Sequence, residues 1–553
     1  MKTNVSLCIA AALMVAACGD PSHRHNSGEK VSVINSTPDE VTPDEVIEED
    51  VEITSNEAAL MEPSANATSK MILSSPPPPP QQRNAETYKE IKENSFVAVA
   101  QQPVTTFSAD VDRAAYANVR RIIGYGQIPQ KDAVRIEEMV NYFDYDYPAP
   151  EEGSVSPLRV SPELAPAPWN PNHLLLRIGL QAKKIDLAQA PPSNIVFLID
   201  VSGSMDEENK LPLLQSSFKL LLGQLRPDDK VAIVTYANGT KVALPSTRVK
   251  DKEKIIKVLD NLYASGGTSG GRGIQLAYEQ AQKSFIKNGN NRIILATDGD
   301  FNIGINNTTD LEKFIEKQRE SGIYMSVLGF GMGNYRDDMA ETIADKGNGN
   351  YAYIDNITEA KKVLVNELSG TLFAVAKDVK LQLEFNPKYV KEYKLIGYEN
   401  RMLANEDFTN DKKDAGEIGA GHTVTALYEL VPSDGKVAQS LRYQSQELNE
   451  KGKGNELGFL KIRYKDPKVK DAKSVEITEP LVFNKKALKE TSADYRFAAS
   501  VAEFGILLRD NSNKANATYD QVIELAEGAI GKDPEGYRKE FVRLVKSVKM
   551  LPK

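Results

Sequence analysis

Five oxygen-bearing side chains have the types and the order of a site for a divalent cation. Asp200, Ser202 and Ser204 alternate in the segment DVSGS, Thr268 lies in the glycine-rich loop ASGGTSGG, and Asp298 begins the segment DGD. Two carboxylates and three hydroxyls, with no His or Cys nearby in the sequence, favour a hard cation such as Mg²⁺ or Mn²⁺. Two Asp balance such an ion without surplus anionic ligands, so an acidic group from outside can take an open coordination position.

The segments around these residues alternate between strand and helix patterns. The β-branched run at 194–200 ends on Asp200, and the run at 292–297 ends directly before Asp298, which is typical of buried parallel strands. Further strands are predicted at 230–236, 241–244, 324–330 and 350–354, and helices at 211–225, 251–263, 273–285, 310–321, 336–345 and 358–373. This alternation predicts a doubly wound, mostly parallel α/β domain over 191–373, and the carboxyl ends of its strands would form one crevice.

In this order and context the motifs resemble those of a known family. DVSGS, the Thr268 loop and ATDG resemble the metal-ion-dependent adhesion site (MIDAS) of the von Willebrand factor type A (VWA) family, and all five positions match. The resemblance implies a Rossmann-like VWA fold in which the Ser and Thr residues bind the ion directly or through water, while the Asp residues often act through water. It also implies a protein ligand whose exposed Asp or Glu completes the coordination.

The segments on both sides of this domain carry a second resemblance. TFSADVDRAAYANVRR precedes the domain, and GYENRML and DYRFAASVAEFGILLRD follow it. They resemble bacterial envelope lipoproteins of the YfbK-like family, in which a VWA domain is inserted between family-specific flanks, and the match covers residues 104 to 553. Apolar periodicity itself predicts a helical and β N-terminal flanking domain at 103–190, a β-rich domain at 374–490 and a C-terminal helical region at 491–553.

The N-terminus has the pattern of an export signal. Lys2 precedes a short apolar stretch at 5–17, which is too short to span a membrane. The small residues before Cys18 resemble the lipobox of bacterial lipoproteins, which implies removal of 1–17 and lipid modification of Cys18. Gly19, in place of Asp, resembles outer-membrane sorting. We therefore expect a cell-envelope protein held in the outer membrane by its lipid anchor.

The next segment, 18–102, is predicted to be an extended tether. It has ten acidic and no basic residues between 31 and 69, and a run of five Pro at 76–80. Such a composition buries no core, and the like charges repel one another. Residues 1–95 hold 15 Asp/Glu against 7 Lys/Arg, which accounts for most of the net charge of −9. The remaining chain is nearly neutral, so nucleic acid is not expected as a partner.

Other functions stay open at this point. The ion could instead activate water in an envelope hydrolase, serve a chelatase-type accessory subunit, or only staple the loops of a scaffold. Hydrolysis needs a base beside the site, and His173 and His422 lie far from DVSGS in the sequence. The segment GFGMGN lacks the last Gly of a dinucleotide fingerprint, so no nucleotide is expected. We therefore predict a metal-dependent binding protein rather than an enzyme.

Overall fold

The computed structural model describes residues 85–109, 112–186, 190–268, 270–299, 308–434, 454–469, 472–510 and 514–552. The predicted signal peptide at 1–17, Cys18 and the tether as far as residue 84 lie outside the described residues. All the described residues belong to one compact unit. Within these ranges no helix combines the length and the apolar character needed to cross a membrane.

The secondary structure is numbered here in chain order. The strands of the described residues are β1 Val97–Ala98, β2 Val104–Ser108, β3 Leu158–Ala167, β4 Asn170–Ala182, β5 Ser193–Asp200, β6 Lys230–Tyr236, β7 Thr240–Arg248, β8 Asn290–Thr297, β9 Ile323–Gly329, β10 Tyr351–Tyr353, β11 Ala374–Phe385, β12 Val390–Ile396, β13 Gly416–Gly419, β14 Thr423–Pro432, β15 Glu456–Lys465 and β16 Val475–Val482. The α-helices are α1 Ala114–Gly124, α2 Ile136–Asn141, α3 Leu211–Leu222, α4 Lys252–Asp260, α5 Gly270–Lys283, α6 Thr308–Arg319, α7 Asp337–Lys346, α8 Ile357–Lys361, α9 Leu368–Leu372, α10 Ala493–Leu508, α11 Tyr519–Glu527 and α12 Tyr537–Met550.

The central sheet has the strand order β10-β9-β8-β5-β6-β7. Its neighbouring strands are parallel, except that β7 runs antiparallel to β6 at one edge. Every residue of β5 and β8 is buried, because α3, α4 and α8 cover one face and α5, α6 and α7 cover the other. The predicted doubly wound α/β fold is therefore confirmed.

The segments before and after the α/β domain fold together. β4 pairs with β3 on one side and antiparallel with β14 on the other, where Gln181 faces Thr423. The sheet β1-β12-β14-β4-β3 shares an apolar core with a second sheet, β13-β11-β15-β16, which β2 joins through β11. The segments predicted as separate domains at 103–190 and 374–490 thus form one sandwich. Pairing between strands so far apart leaves no local pattern in the sequence.

The C-terminal helices pack with helices of the N-terminal flank. α10, α11 and α12 share an apolar core with α1 and α2. At its centre the ring of Phe143 lies 4.9 Å from that of Phe497 and 5.8 Å from that of Phe541, measured between centroids. The helical region at 491–553 therefore packs with the N-terminal flank into one helical layer.

The last helix of the α/β domain is not the continuous helix predicted at 358–373. It divides into α8, a π-helical turn at Lys362–Asn366, and α9. Two arginines near α1 contact it: Arg120 pairs with Glu359 at 2.7 Å, and Arg113 pairs with Glu367 at 2.5 Å. These long-range ion pairs fix the position of the segment against the N-terminal flank. They cannot be predicted from its helical periodicity.

The end of the predicted tether lies against the α/β domain. Residues 85–88, which we call the strap, run beside the loop between β9 and α7. The Ala85 N–H donates to Gly333 O at 2.8 Å, and the Thr87 N–H donates to Tyr335 O at 3.0 Å. Glu86 is buried and pairs with Arg121 of α1 at 2.8 Å. Residues 85–102, which composition assigns to the tether, are therefore part of the folded unit.

Candidate metal centre at the carboxyl ends of the parallel strands

The structure brings Asp200, Ser202, Ser204 and Asp298 to the carboxyl edge of the central sheet. β5 ends on Asp200, and the neighbouring parallel strand β8 ends one residue before Asp298. Neither Asp has any exposed surface, and Ser202 is 1% exposed. Ser202 Oγ lies 3.0 Å from Ser204 Oγ. Strand order alone therefore assembles oxygen donors from two distant segments.

The turn after β5 is fixed by its own hydrogen bonds and by the glycine-rich loop. The Ser202 N–H donates to Asp200 Oδ1 at 2.9 Å, which orients the carboxylate. The Gly203 N–H donates to Gly266 O at 2.8 Å, so the loop that carries Thr268 lies across the turn. Thr268 itself is half-buried two residues further along. Residues 269 and 300–307, which adjoin the crevice in sequence, lie outside the described residues.

The carboxylate of Asp200 is buried without full compensation. Burial raises its pKa to about 7, hydrogen bonds from Ser202 oppose this, and the negative charge of Asp298 adds to it. The Tyr236 hydroxyl lies close enough to lower this pKa, but it does not complete a hydrogen bond to Asp200 Oδ2. No other described residue donates to that buried oxygen. Burying such an oxygen costs folding free energy unless a hydrogen-bond donor or a cation binds it.

The donor set fits Mg²⁺ or Mn²⁺. Both ions prefer oxygen ligands, and this edge offers two carboxylates beside the hydroxyls of Ser202 and Ser204. Across the described ranges no three His, Cys, Asp or Glu side chains gather into a metal-binding group. An ion here would therefore depend on hydroxyls as well as on Asp200 and Asp298.

Lys210 also belongs to this crevice, and the sequence motifs do not include it. Its Nζ lies 3.2 Å from Asp298 Oδ2 and donates to Ser204 O at 2.8 Å. The side chain is only 4% exposed. Lys210 is the N-cap of α3, where a cation opposes the helix dipole. In the sequence, Lys210 stands directly before the predicted helix at 211–225, in KLP. This unfavourable position for a cation is the signal that could have indicated a special role for Lys210.

The two histidines lie in the flanking sandwich. His173 is in β4, and its Nδ1 is 2.6 Å from Glu429 Oε1. His422 precedes β14 and packs against Gly370 of α9; burial lowers its pKa to about 4, so it is neutral at pH 7. Both side chains thus have roles in packing the flanks. Neither gives the hydrolase hypothesis the base that it requires beside the crevice.

Three family models together match most of the residues that the structure describes. Residues 194–366 match the von Willebrand factor type A domain, residues 82–177 match a family described as von Willebrand factor, and residues 370–551 match "Uncharacterized protein YfbK, C-terminal". "Uncharacterized protein YfbK" of Escherichia coli (strain K12) is 48% identical over 465 residues, which cover 83% of this chain and 80% of the relative. The chain belongs to the YfbK family. The predicted resemblance to bacterial YfbK-like VWA proteins is confirmed.

More distant similarities concern parts of the chain or the fold. "Uncharacterized protein sll0103" of Synechocystis sp. is 30% identical over 185 residues, which are 34% of this chain and 43% of that protein. A solved structure, "von Willebrand factor type A from Catenulispora acidiphila", is 13% identical with a TM-score of 0.39 and covers 83% of this chain and 91% of its own. VWA domains generally serve in protein–protein interaction or as scaffolds, and they commonly bind a divalent metal.

Proposed function

We propose that this protein is a lipid-anchored cell-envelope protein that binds an acidic group of a partner protein through Mg²⁺ or Mn²⁺. The ion would be held by Asp200, Ser202, Ser204, Thr268 and Asp298. The observation that carries the proposal is Asp200 Oδ2, which is buried at the crevice without a hydrogen bond from the described residues. A bound ion supplies a positive centre that accepts a carboxylate oxygen.

The residues of the chain prepare this site before any ligand arrives. The Ser202 N–H fixes one oxygen of Asp200 and leaves the other without a donor among the described residues. The contact between Gly203 and Gly266 keeps the Thr268 loop beside the turn. Because these groups are already ordered, binding costs little further ordering of the backbone.

The test is Asp200→Ala, with Asp206→Ala as a matched control, because Asp206 is an exposed carboxylate just beyond the DVSGS turn. We expect Asp200→Ala to abolish the calorimetric heat of Mg²⁺ binding while the circular dichroism spectrum stays unchanged. Asp206→Ala should bind Mg²⁺ as the wild type does. Unaltered Mg²⁺ affinity in folded Asp200→Ala protein would contradict the site assignment.

The acidic ligand is tested with a Glu-containing peptide and its Gln counterpart. Wild-type protein should bind the Glu peptide only with Mg²⁺ present, and a chelator should release it. If the protein binds Mg²⁺ but does not distinguish the two peptides, the ion only stabilises the loops and the protein is a scaffold.

The lipid anchor is tested with Cys18→Ser, and Cys8→Ser is the control because Cys8 lies in the segment expected to be removed. Cys18→Ser should appear in the soluble envelope fraction, whereas Cys8→Ser should remain with the outer membrane. Membrane association of Cys18→Ser after a carbonate wash would mean that another segment holds the protein.

A further inference from the structure

A positive charge of the chain itself occupies the edge of the proposed metal crevice. Lys210 Nζ is 3.2 Å from Asp298 Oδ2, and it donates to Ser204 O, in the turn that supplies two of the hydroxyl ligands. Glu207 Oε1 also lies 3.3 Å away, but its side chain is 53% exposed, so water screens that contact. The buried partner of Lys210 is therefore Asp298.

The ammonium group is held at this place by the packing of its aliphatic stem. Gly331, in the loop after β9, has a φ of +76°, and a Cβ there would overlap with Lys210 Cε. The Tyr353 hydroxyl donates to Gly331 O and fixes this loop against β10. Lys210 also pays for its position electrostatically, since a cation at the N-terminus of α3 opposes the helix dipole. Packing on one side and the Asp298 carboxylate on the other hold it there.

We infer that Lys210 is a built-in counter-ion of the crevice, which supports Asp298 in the ion-free protein and makes retention of the divalent ion depend on an acidic ligand. This inference rests on the proposed function. When both Asp are ionised to hold a dication, the two carboxylates and the ammonium carry one net negative charge, so the bound dication leaves one net positive charge. A carboxylate from the partner restores neutrality in a buried site, where an unbalanced charge is costly.

Removing the charge of Lys210 makes the net charge of the crevice more negative by one unit. The two Asp would neutralise the dication alone, so Mg²⁺ would bind more tightly. A partner carboxylate would then add an excess negative charge, so the acidic ligand would bind more weakly. The same residue thus affects the two affinities in opposite directions. A lysine that only fixed the loops would not produce that combination.

The experiment compares Lys210→Met, which keeps an unbranched stem that ends where Lys Cε lies but has no charge, with Lys210→Arg, which keeps the charge. Calorimetry of the purified full chain should show Mg²⁺ binding at least about 10-fold tighter in Lys210→Met. At saturating Mg²⁺ the Glu peptide should bind it at least about 5-fold more weakly. In chelator, Lys210→Met should unfold at a lower temperature than the wild type, and Mg²⁺ should restore most of the difference. Lys210→Arg should stay close to the wild type in all three measurements.

The outcomes separate the role of Lys210 from the existence of the metal site. Equal Mg²⁺ affinity in the wild type and Lys210→Met would overturn the inference but leave the metal site standing. If wild-type protein bound no Mg²⁺, the proposed function would fail, and the chelator measurement would still report whether Lys210 supports Asp298. If Lys210→Met does not fold, Lys210→Gln, which is uncharged but has a polar end, replaces it. Unchanged Mg²⁺ affinity in Lys210→Gln would overturn the inference equally.

Discussion

Two of the regions that hold buried carboxylates differ in what surrounds those carboxylates. Where the α/β domain meets the N-terminal flank, Asp337 has no exposed surface, pairs with Arg135 at 2.6 Å and accepts a hydrogen bond from the Tyr351 hydroxyl at 2.7 Å. At the crevice, Asp200 is equally buried, but its Oδ2 has no hydrogen-bond donor among the described residues. Asp337 thus has both a cation and a hydroxyl donor, whereas at the crevice the ammonium of Lys210 lies beside Asp298 and leaves Asp200 Oδ2 unpaired.

The pKa values of two carboxyls express this difference. Burial alone would raise the pKa of Glu367, but Arg113 and Lys362 outweigh it and hold the pKa at about 2. Burial raises the pKa of Asp200 to about 7, because the hydrogen bonds of Ser202 do not outweigh it. A carboxylate that is fully paired joins two parts of a fold. A buried and underpaired carboxylate marks a candidate cation site when, as at Asp200, other oxygen donors lie beside it.

The largest effect is expected from removing Arg135, which lies between Asp337 and Glu138 and is 2% exposed. Arg135→Met leaves two buried carboxylates without their cation, and we expect a loss of about 3–5 kcal/mol in the free energy of unfolding. Denaturant titration measures this loss. Arg248→Met is the control, because Arg248 is 55% exposed and its ion pair with Asp228 lies at the surface. Equal losses in the two variants would remove the contrast between the regions.

A second test uses Glu503, which is buried in α10. Burial raises its pKa to about 8, and neither carboxyl oxygen has a hydrogen-bond partner among the described residues. The unfolded chain releases this proton near pH 4.5, so the folded state binds one more proton between pH 4.5 and 8. Stability from this group is therefore lost as the pH rises, by at most about 1.4 kcal/mol per pH unit.

Glu503→Gln should remove this dependence. Between pH 5 and pH 8 the variant should gain about 2–4 kcal/mol relative to the wild type in the free energy of unfolding. Urea titrations at both pH values measure the difference. Parallel pH profiles of the two proteins would show that Glu503 is paired as fully as Asp337.

The smallest change in stability is expected at the crevice. In the presence of chelator, Asp200→Ala removes a carboxylate that the chain compensates only in part, so we expect a change below about 1 kcal/mol in the free energy of unfolding. Asp337→Ala, which leaves Arg135 short of a partner, should cost several times more. If chelated Asp200→Ala were as unstable as Asp337→Ala, the crevice would be a structural network rather than a ligand site.

The sequence was sufficient where local pattern and strand order determine the result. The strand at Lys230–Tyr236 was predicted with its observed bounds, and β5 and β8 differ from their predicted bounds only at the first residues. Because Asp200 and Asp298 follow neighbouring parallel strands, their approach in space also followed from the sequence.

Contacts between distant segments were not predictable in this way. Arg113 and Glu367 are buried together, but neither residue type indicates in sequence which partner it will meet. The break in the last helix and the shared sandwich depend on such contacts. Lys210 was missed for the same reason: it lies only six residues beyond Ser204, but the carboxylate that it pairs with is Asp298, at the end of another strand.

The shared sandwich also has a consequence for the order in which the chain folds. Gln181 at the end of β4 hydrogen-bonds to Gly421 O, 240 residues further along, with the whole VWA domain between them. Closing so long a disordered loop is entropically costly, and contacts between distant residues slow folding. Once the parallel sheet has formed, β5 and β10 lie in one rigid body, and the effective loop becomes much shorter. We therefore expect the inserted domain to fold first and the sandwich to close last, when β14 pairs with β4.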